Sequence, residues 1–322
     1  MRAMELAEWC SSSRVIIVAG KGGVGKTTTA AALAVAAARA GRRALLIELD
    51  GKSGLGSMFG VDTTGGEVEA YPGVRVLPLA PDEALIEYLE SHGLRRMSKR
   101  LVHSGALDIV ATAVPGMKEI LVLGKVKALQ RAGAADVIVV DGPAAGHAVT
   151  FLLSPKGLLD AVRVGPVLTQ AVEVSEMLAD PDRAQVVLVT LPEETPVNET
   201  VETAEALVDR IGLTLGPLVV NGLYPDRPLE RLTTPEAVRS VAERAGVDGP
   251  VPDGEADQLA RAARFLVRRR ALQEEQLGRL EERLDLPRVV LPFLFSSDLG
   301  PGELEVLADA LTAGVGALPV GA

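Results

Sequence analysis

RVIIVAGKGGVGKTTTAAALAVAAARA, residues 14–40, is the stretch on which the fold turns. RVIIVAG (14–20) is apolar and rich in β-branched residues, so it reads as a buried strand. TTTAAALAVAAARA (27–40) is a strong helix former. Between them Gly20, Lys21, Gly22, Gly23, Val24, Gly25, Lys26 and Thr27 fit G-x-x-x-x-G-K-[ST], followed by Thr28. The motif lies after a strand and opens a helix, the setting in which it binds phosphate. Glycines let successive backbone N–H groups converge on phosphate oxygens, and the helix start adds partial positive charge. Lys26 is placed to reach the β- and γ-phosphates, and Thr27 to put its hydroxyl on Mg²⁺. The expected ligands are therefore ATP and Mg²⁺.

Outward from this stretch, similar apolar runs recur: ALLIELD (44–50), VRVLPL (74–79), VIVVD (137–141), QVVLVT (185–190), PLVVN (217–221) and RVVLPFL (288–294). Helical patterns separate them, at about 82–132, 150–180, 196–212, 235–245 and 254–285. Such alternation predicts a doubly wound α/β fold, a mainly parallel sheet covered on both faces, with inserted helical segments. The expectation is one P-loop ATPase domain over 1–322, its sheet drawn from about 14–80, 135–150, 185–222 and 287–312. Helical insertions are expected over 82–132, 150–180 and 222–285. Within the last, 222–253 reads as loop with one short helix, and 254–285 as a solvated helix laced with i,i+4 pairs. The tail GVGALPVGA (314–322) is expected to fray.

Composition narrows the classes. Aromatics are only 3% of the chain, so the core must come from Leu, Val, Ile and Ala. The net charge of −10 argues against nucleic acid as the main partner, which demands a basic surface. The lone Cys10 excludes an internal disulfide, a Cys-x-x-Cys zinc clamp and a cluster site within one chain. A thiolate site for arsenite is excluded for the same reason. The N-terminal stretch has no signal-peptide core and no run is long enough to span a membrane, so a cytoplasmic location is expected.

GKGGVGKTT (20–28), ELDGKSGLGSMFG (48–60) and VVDGPAAGHAVTFLL (139–153) together resemble, in order, the motifs of the ArsA-type ATPases. That family includes arsenite-pump ATPases and ATPases that target tail-anchored membrane proteins. The resemblance covers about 14–160, 185–222 and 287–312. It implies that Lys21, the second lysine of a deviant Walker A loop, reaches across a dimer interface to the partner's nucleotide. It implies that Asp50 positions the attacking water beside the Mg²⁺ served by Thr27, Asp50 and Asp141, and that Gly146 gives its N–H to the γ-phosphate. His147 matches the family's switch histidine, Asn221 its adenine-contacting asparagine and Pro292 its adenine-loop proline. Plainer alternatives stand beside these: a turn or cap for Asp50, a surface histidine, a turn asparagine and an edge proline. The departures are Gly51-Lys52-Ser53 and Ser57 in the first switch, and Gly142, Ala144 and Ala145 in the second.

Pro115-Gly116-Met117-Lys118-Glu119 resembles the family's PGxxE stretch. The apolar residues after it, Ile120, Leu123 and Val126, suit either a hydrophobic client groove or ordinary core. With one P-loop in the chain, the second nucleotide half is expected from another chain, as a homodimer or with a paralogue. The functional expectation is ATP hydrolysis driving a dimer switch on a client protein or a membrane transport or targeting partner. Two alternatives remain: a regulatory subunit with little turnover alone, and a partition or positioning ATPase. The acidic-to-neutral stretch GELEVLADALTAGVGALPVGA (302–322), without a basic membrane helix, speaks against the last.

Overall fold

A computed structural model describes residues 6–12, 14–49, 54–91, 116–247 and 249–318. Its centre is an eight-stranded sheet: β1 (Val15–Gly20), β2 (Ala44–Leu49), β3 (Val68–Tyr71), β4 (Val74–Leu79), β5 (Val137–Ala144), β6 (Ala184–Thr190), β7 (Leu218–Leu223) and β8 (Arg288–Pro292). The spatial order is β3-β4-β2-β5-β1-β6-β7-β8. Every neighbouring pair is parallel except β3 with β4, which is antiparallel. The sequence reading found seven of these strands. It missed β3, a four-residue edge strand whose VEAY has neither the length nor the apolar content of the others. β5 also runs three residues past the expected end at Asp141.

Alternation along each strand sorts side chains onto two faces. Ile17, Ile47, Val140 and Leu188 point to one face, and Ile16, Leu46, Val139 and Val187 to the other. The first face is covered by α4 (Pro81–Ser91), α5 (Met117–Arg131), α6 (Ala145–Ala161), α7 (Pro166–Ala179) and α8 (Glu194–Ile211). The second is covered by α1 (Leu6–Ser12), α2 (Lys26–Arg39), α3 (Leu55–Phe59) and α11 (Pro301–Gly316). α9 (Pro235–Arg244) packs with the first part of α10 (Asp253–Arg283) outside these layers, around Val238, Ala256 and Ala260, while Leu280 near the end of α10 is buried in the core of the first face. Small alanines let α2 lie close against the sheet, and Ala30–Ala37 are all buried there. Cys10 is buried in that face, where burial pushes its thiol up to about 12 and leaves it inert.

Two expectations change. The tail does not fray from residue 314: Gly314 sits against Val289, Val315 is fully buried and Leu318 is buried. α10 makes the expected i,i+4 pairs, Arg261–Asp257 at 2.7 Å and Arg270–Glu274 at 2.9 Å. It is not purely solvated, however. Gln273 is buried, accepts from the Tyr224 N–H at 2.9 Å and donates to the Gly222 carbonyl at 3.0 Å. The helix thereby fastens the chain where it leaves β7. No described helix is long and apolar enough to cross a membrane.

Candidate functional site

The carboxyl ends of β1, β2, β5, β6, β7 and β8 gather along one edge of the sheet, where open α/β folds place their ligands. β1 lies between β5 and β6, so the loop after it opens at the centre of that edge. Gly25 caps the start of α2 with φ of 90°, a left-handed conformation that suits glycine. A Cβ there would collide with the Asn221 side-chain nitrogen. The loop therefore needs glycine at this point twice over, for conformation and for room.

Lys26 and Thr27 are the first residues of α2. The Lys26 Nζ donates to the Lys21 carbonyl at 3.0 Å, folding the ammonium back over its own loop. Burial lowers the Lys26 pKa, and the nearby charge of Asp141 opposes that shift. The Thr27 hydroxyl donates to Asp141 Oδ2 at 2.7 Å, tying the helix start to β5, the strand next to β1. The other oxygen of Asp141, Oδ1, is buried and accepts no hydrogen bond among the described residues. Burial pushes the Asp141 pKa up to about 6, and the charge of Glu48 adds to this, while the Thr27 bond and Lys26 pull it down. A buried carboxylate with a free lone pair beside a threonine hydroxyl fits an octahedral cation that keeps most of its waters. Among the described residues no three acidic, His or Cys side chains cluster as a metal cage. One carboxylate plus phosphates is the usual way Mg²⁺ is held, so the residues present fit that ion.

Glu48 escaped the sequence reading. It is 2% exposed, in register with Asp141 on the adjacent parallel strand. In-register residues of parallel strands face the same side, so both carboxylates lie on the α2 face of the sheet. The signal was available: an acid inside ALLIEL, on the alternation that otherwise faces α2 with Ala44 and Leu46.

Beside Asp141, a cavity of about 600 Å³ is lined by Lys26, Thr27, Leu49, Glu119, Asp141, His147 and Phe151, among others. Gly146 is the second residue of α6, whose N-cap Ala144 makes no side-chain cap bond. First-turn N–H groups there are left for a ligand. His147 lines the cavity and is exposed. Ile120, Leu123 and Val126 are buried in the core, so the face after Gly116 is ordinary core packing. Pro115 lies outside the described residues, as do Asp50, Gly51, Lys52 and Ser53. Ser57 is described, and its hydroxyl donates to the Gly54 carbonyl at 3.2 Å.

The flank beyond β6 brings the remaining candidates together. Asn221 and Pro292 lie on the neighbouring parallel strands β7 and β8, with Leu223 and Pro292 in register. The Asn221 Nδ2 donates to the Val24 carbonyl at 2.9 Å, so this residue braces the phosphate loop. Its Oδ1 remains as an acceptor. Just past these strands Tyr224 stacks on Phe293 at 4.4 Å between centroids, and Phe295 meets both edge-on. Lys21 points elsewhere: its Nζ lies 2.6 Å from Glu199 Oε1 of the same chain.

Comparison with known proteins shows the family. Residues 13–164 match the family described as "Anion-transporting ATPase" (ArsA_ATPase). The chain is 30% identical to ATPase BagA of Mycobacterium tuberculosis, over 94% of this chain and 93% of that protein. It is 26% identical to ATPase get3 of Neurospora crassa, over 93% and 91% of the two chains. It is 29% identical to an arsenical pump-driving ATPase of Acidiphilium multivorum, where the match spans 66% of this chain but 40% of that protein. The chain belongs to the ArsA-type family of anion-transporting ATPases and is an ATP hydrolase.

Proposed function

We propose that this ATPase binds MgATP through residues 20–28 and couples its hydrolysis to a switch in a dimer. The reading draws its main support from the Thr27–Asp141 bond of 2.7 Å, with the open Oδ1 of Asp141 beside it. The loop amides and Lys26 hold the triphosphate, with Lys26 leaving the Lys21 carbonyl for a phosphate oxygen. Thr27, Asp141 and Asp50 are the residues that would hold Mg²⁺. When bound there, Mg²⁺ would supply positive charge to the phosphates. Asp50 positions the attacking water, and Lys21 of a second chain neutralises charge on the transferred phosphoryl group. Gly146 and His147 at the start of α6 relay loss of the γ-phosphate into the helical layer. Asn221 and Pro292 receive adenine, the free Oδ1 of Asn221 accepting from N6. The whole chain acts as one domain in this scheme.

By kinship with proteins named for arsenical pumping and with get3, the switch acts on a transport or targeting partner or on a client protein. A second reading is a nucleotide-binding subunit with little turnover alone. It draws on Ser57, whose hydroxyl turns back onto Gly54 where the family motif has an acid.

The test is Mg²⁺-dependent ATP hydrolysis by the purified chain over a concentration series, with Lys26→Ala alongside. Turnover per chain should rise with concentration and fall by about 100-fold or more in the variant, the scale of losing one phosphate-stabilising donor. Binding without turnover would favour the second reading. Concentration-independent turnover would remove the dimer.

A further inference from the structure

We infer that Glu199 is the positioning residue of Lys21, holding its ammonium within its own chain until the nucleotide of a second copy takes it. The inference rests on the reading that Lys21 acts across a dimer. Its observation is the ion pair of 2.6 Å between Lys21 Nζ and Glu199 Oε1.

The two partners differ in freedom. Glu199 stands on the second turn of α8, flanked by the buried Val197 and Thr200. Its backbone carbonyl accepts from Thr203 Oγ1 at 2.7 Å, and the neighbouring Asn198 side chain accepts from Arg279 of α10 at 3.0 Å. The carboxylate is therefore mounted on an anchored helix. Lys21 stands in the phosphate loop on a flexible four-carbon stem. It is held at two points, its carbonyl by Lys26 and its ammonium by Glu199. When a triphosphate draws Lys26 away, the carbonyl contact goes and the Glu199 pair alone still directs the stem.

The strength of that pair suits a latch. The side chains are 32% and 39% exposed, so water screens the attraction. Pairs of this exposure shift an equilibrium by about fivefold at most. That is enough to bias where the lysine points, and too little to withhold it from a triphosphate. A cavity of about 440 Å³ opens alongside, between Lys21, Gly22 and Gly23 of the loop and Glu194 at the start of α8. The stem thus has space in which to swing. Lys21 exchanges one anionic partner for another, and closing a dimer bears the small cost of releasing the first.

The experiment is sedimentation of the full chain over a concentration series with Mg²⁺ and a non-hydrolysable ATP analogue. Native protein, Glu199→Gln, Lys21→Ala and the double variant are compared. Glu199→Gln should lower the midpoint of nucleotide-dependent self-association by about two- to fivefold. In the Lys21→Ala background the same change should produce no shift, because the effect travels through Lys21. A Glu199→Gln midpoint equal to the native one overturns the inference, as does a shift of equal size without Lys21. A native chain that never associates with nucleotide overturns the dimer reading and this inference together. Association by the native chain without a shift overturns the inference alone.

Discussion

The two ends of the site are built on different principles. At the phosphate end the groups are charged: the buried Asp141 and Glu48 and the half-buried Lys26 crowd the foot of α2. At the far flank, Asn221, Pro292 and the Tyr224–Phe293–Phe295 cluster are neutral, and Phe295 is exposed. The phosphate end carries electrostatic strain: burial of the Asp141 carboxylate is its main cause, and the charge of Glu48 on the same sheet face adds to it. The far flank is comfortable as it stands. One end is thus poised to respond to ligand charge, and the other to offer shape and an apolar surface.

Breaking this contrast should have its largest effect at Asp141. Its pKa in the fold, about 6, lies above the ordinary 3.8, so the folded chain binds that proton more tightly than the unfolded one. The ionised carboxylate therefore costs nothing below pH 4, a growing amount from pH 4 to 6, and its full amount above. The rise corresponds to about 3 kcal/mol at most. Asp141→Asn should raise the melting temperature of the ligand-free protein at pH 8, with little gain at pH 4, while removing the extra stabilisation that Mg²⁺ adds to nucleotide. Melting curves at the two pH values check this, and an equal gain at both would show that the strain is not electrostatic.

A smaller effect is expected at the joint between the two ends. Asn221→Ala removes the bond to the Val24 carbonyl and should cost about 1 kcal/mol of stability. It should also narrow the preference for ATP over GTP, read by competition against a labelled nucleotide. Stability loss with unchanged preference would leave Asn221 as a brace only. The least effect is expected at the aromatic cluster. Phe293→Leu keeps apolar volume but removes the stack on Tyr224, for about 0.5–1 kcal/mol. It should leave turnover at saturating ATP unchanged, as a steady-state assay can verify.

The C-terminal tail shows how local reading fails. GVGALPVGA has the composition of a frayed end, yet Gly314 permits close packing on Val289 of β8, and the helix continues to Gly316. Neither residue signals the other. The acid within ALLIEL was visible, but its meaning required knowing that β5 would lie beside β2. Conversely, the Ile120 face read equally well as core or as groove, and only its burial under the helical layer separated the two.

By itself the sequence determined the phosphate loop, the alternation of strands and helices, and the parallel character of the sheet. These follow from short-range chemistry: glycine conformations, helix propensity and continuous apolar runs. Tertiary structure alone decided which strand ends meet. The insertion of β5 between β2 and β1 placed Asp141 under Thr27 and beside Glu48. The pairing of β7 with β8 put Asn221 and Pro292 on adjacent strands, and the packing of α8 gave Lys21 its Glu199. Partners so far apart in the chain leave no local periodicity, because strand order is set by how crossovers pack helices onto the sheet.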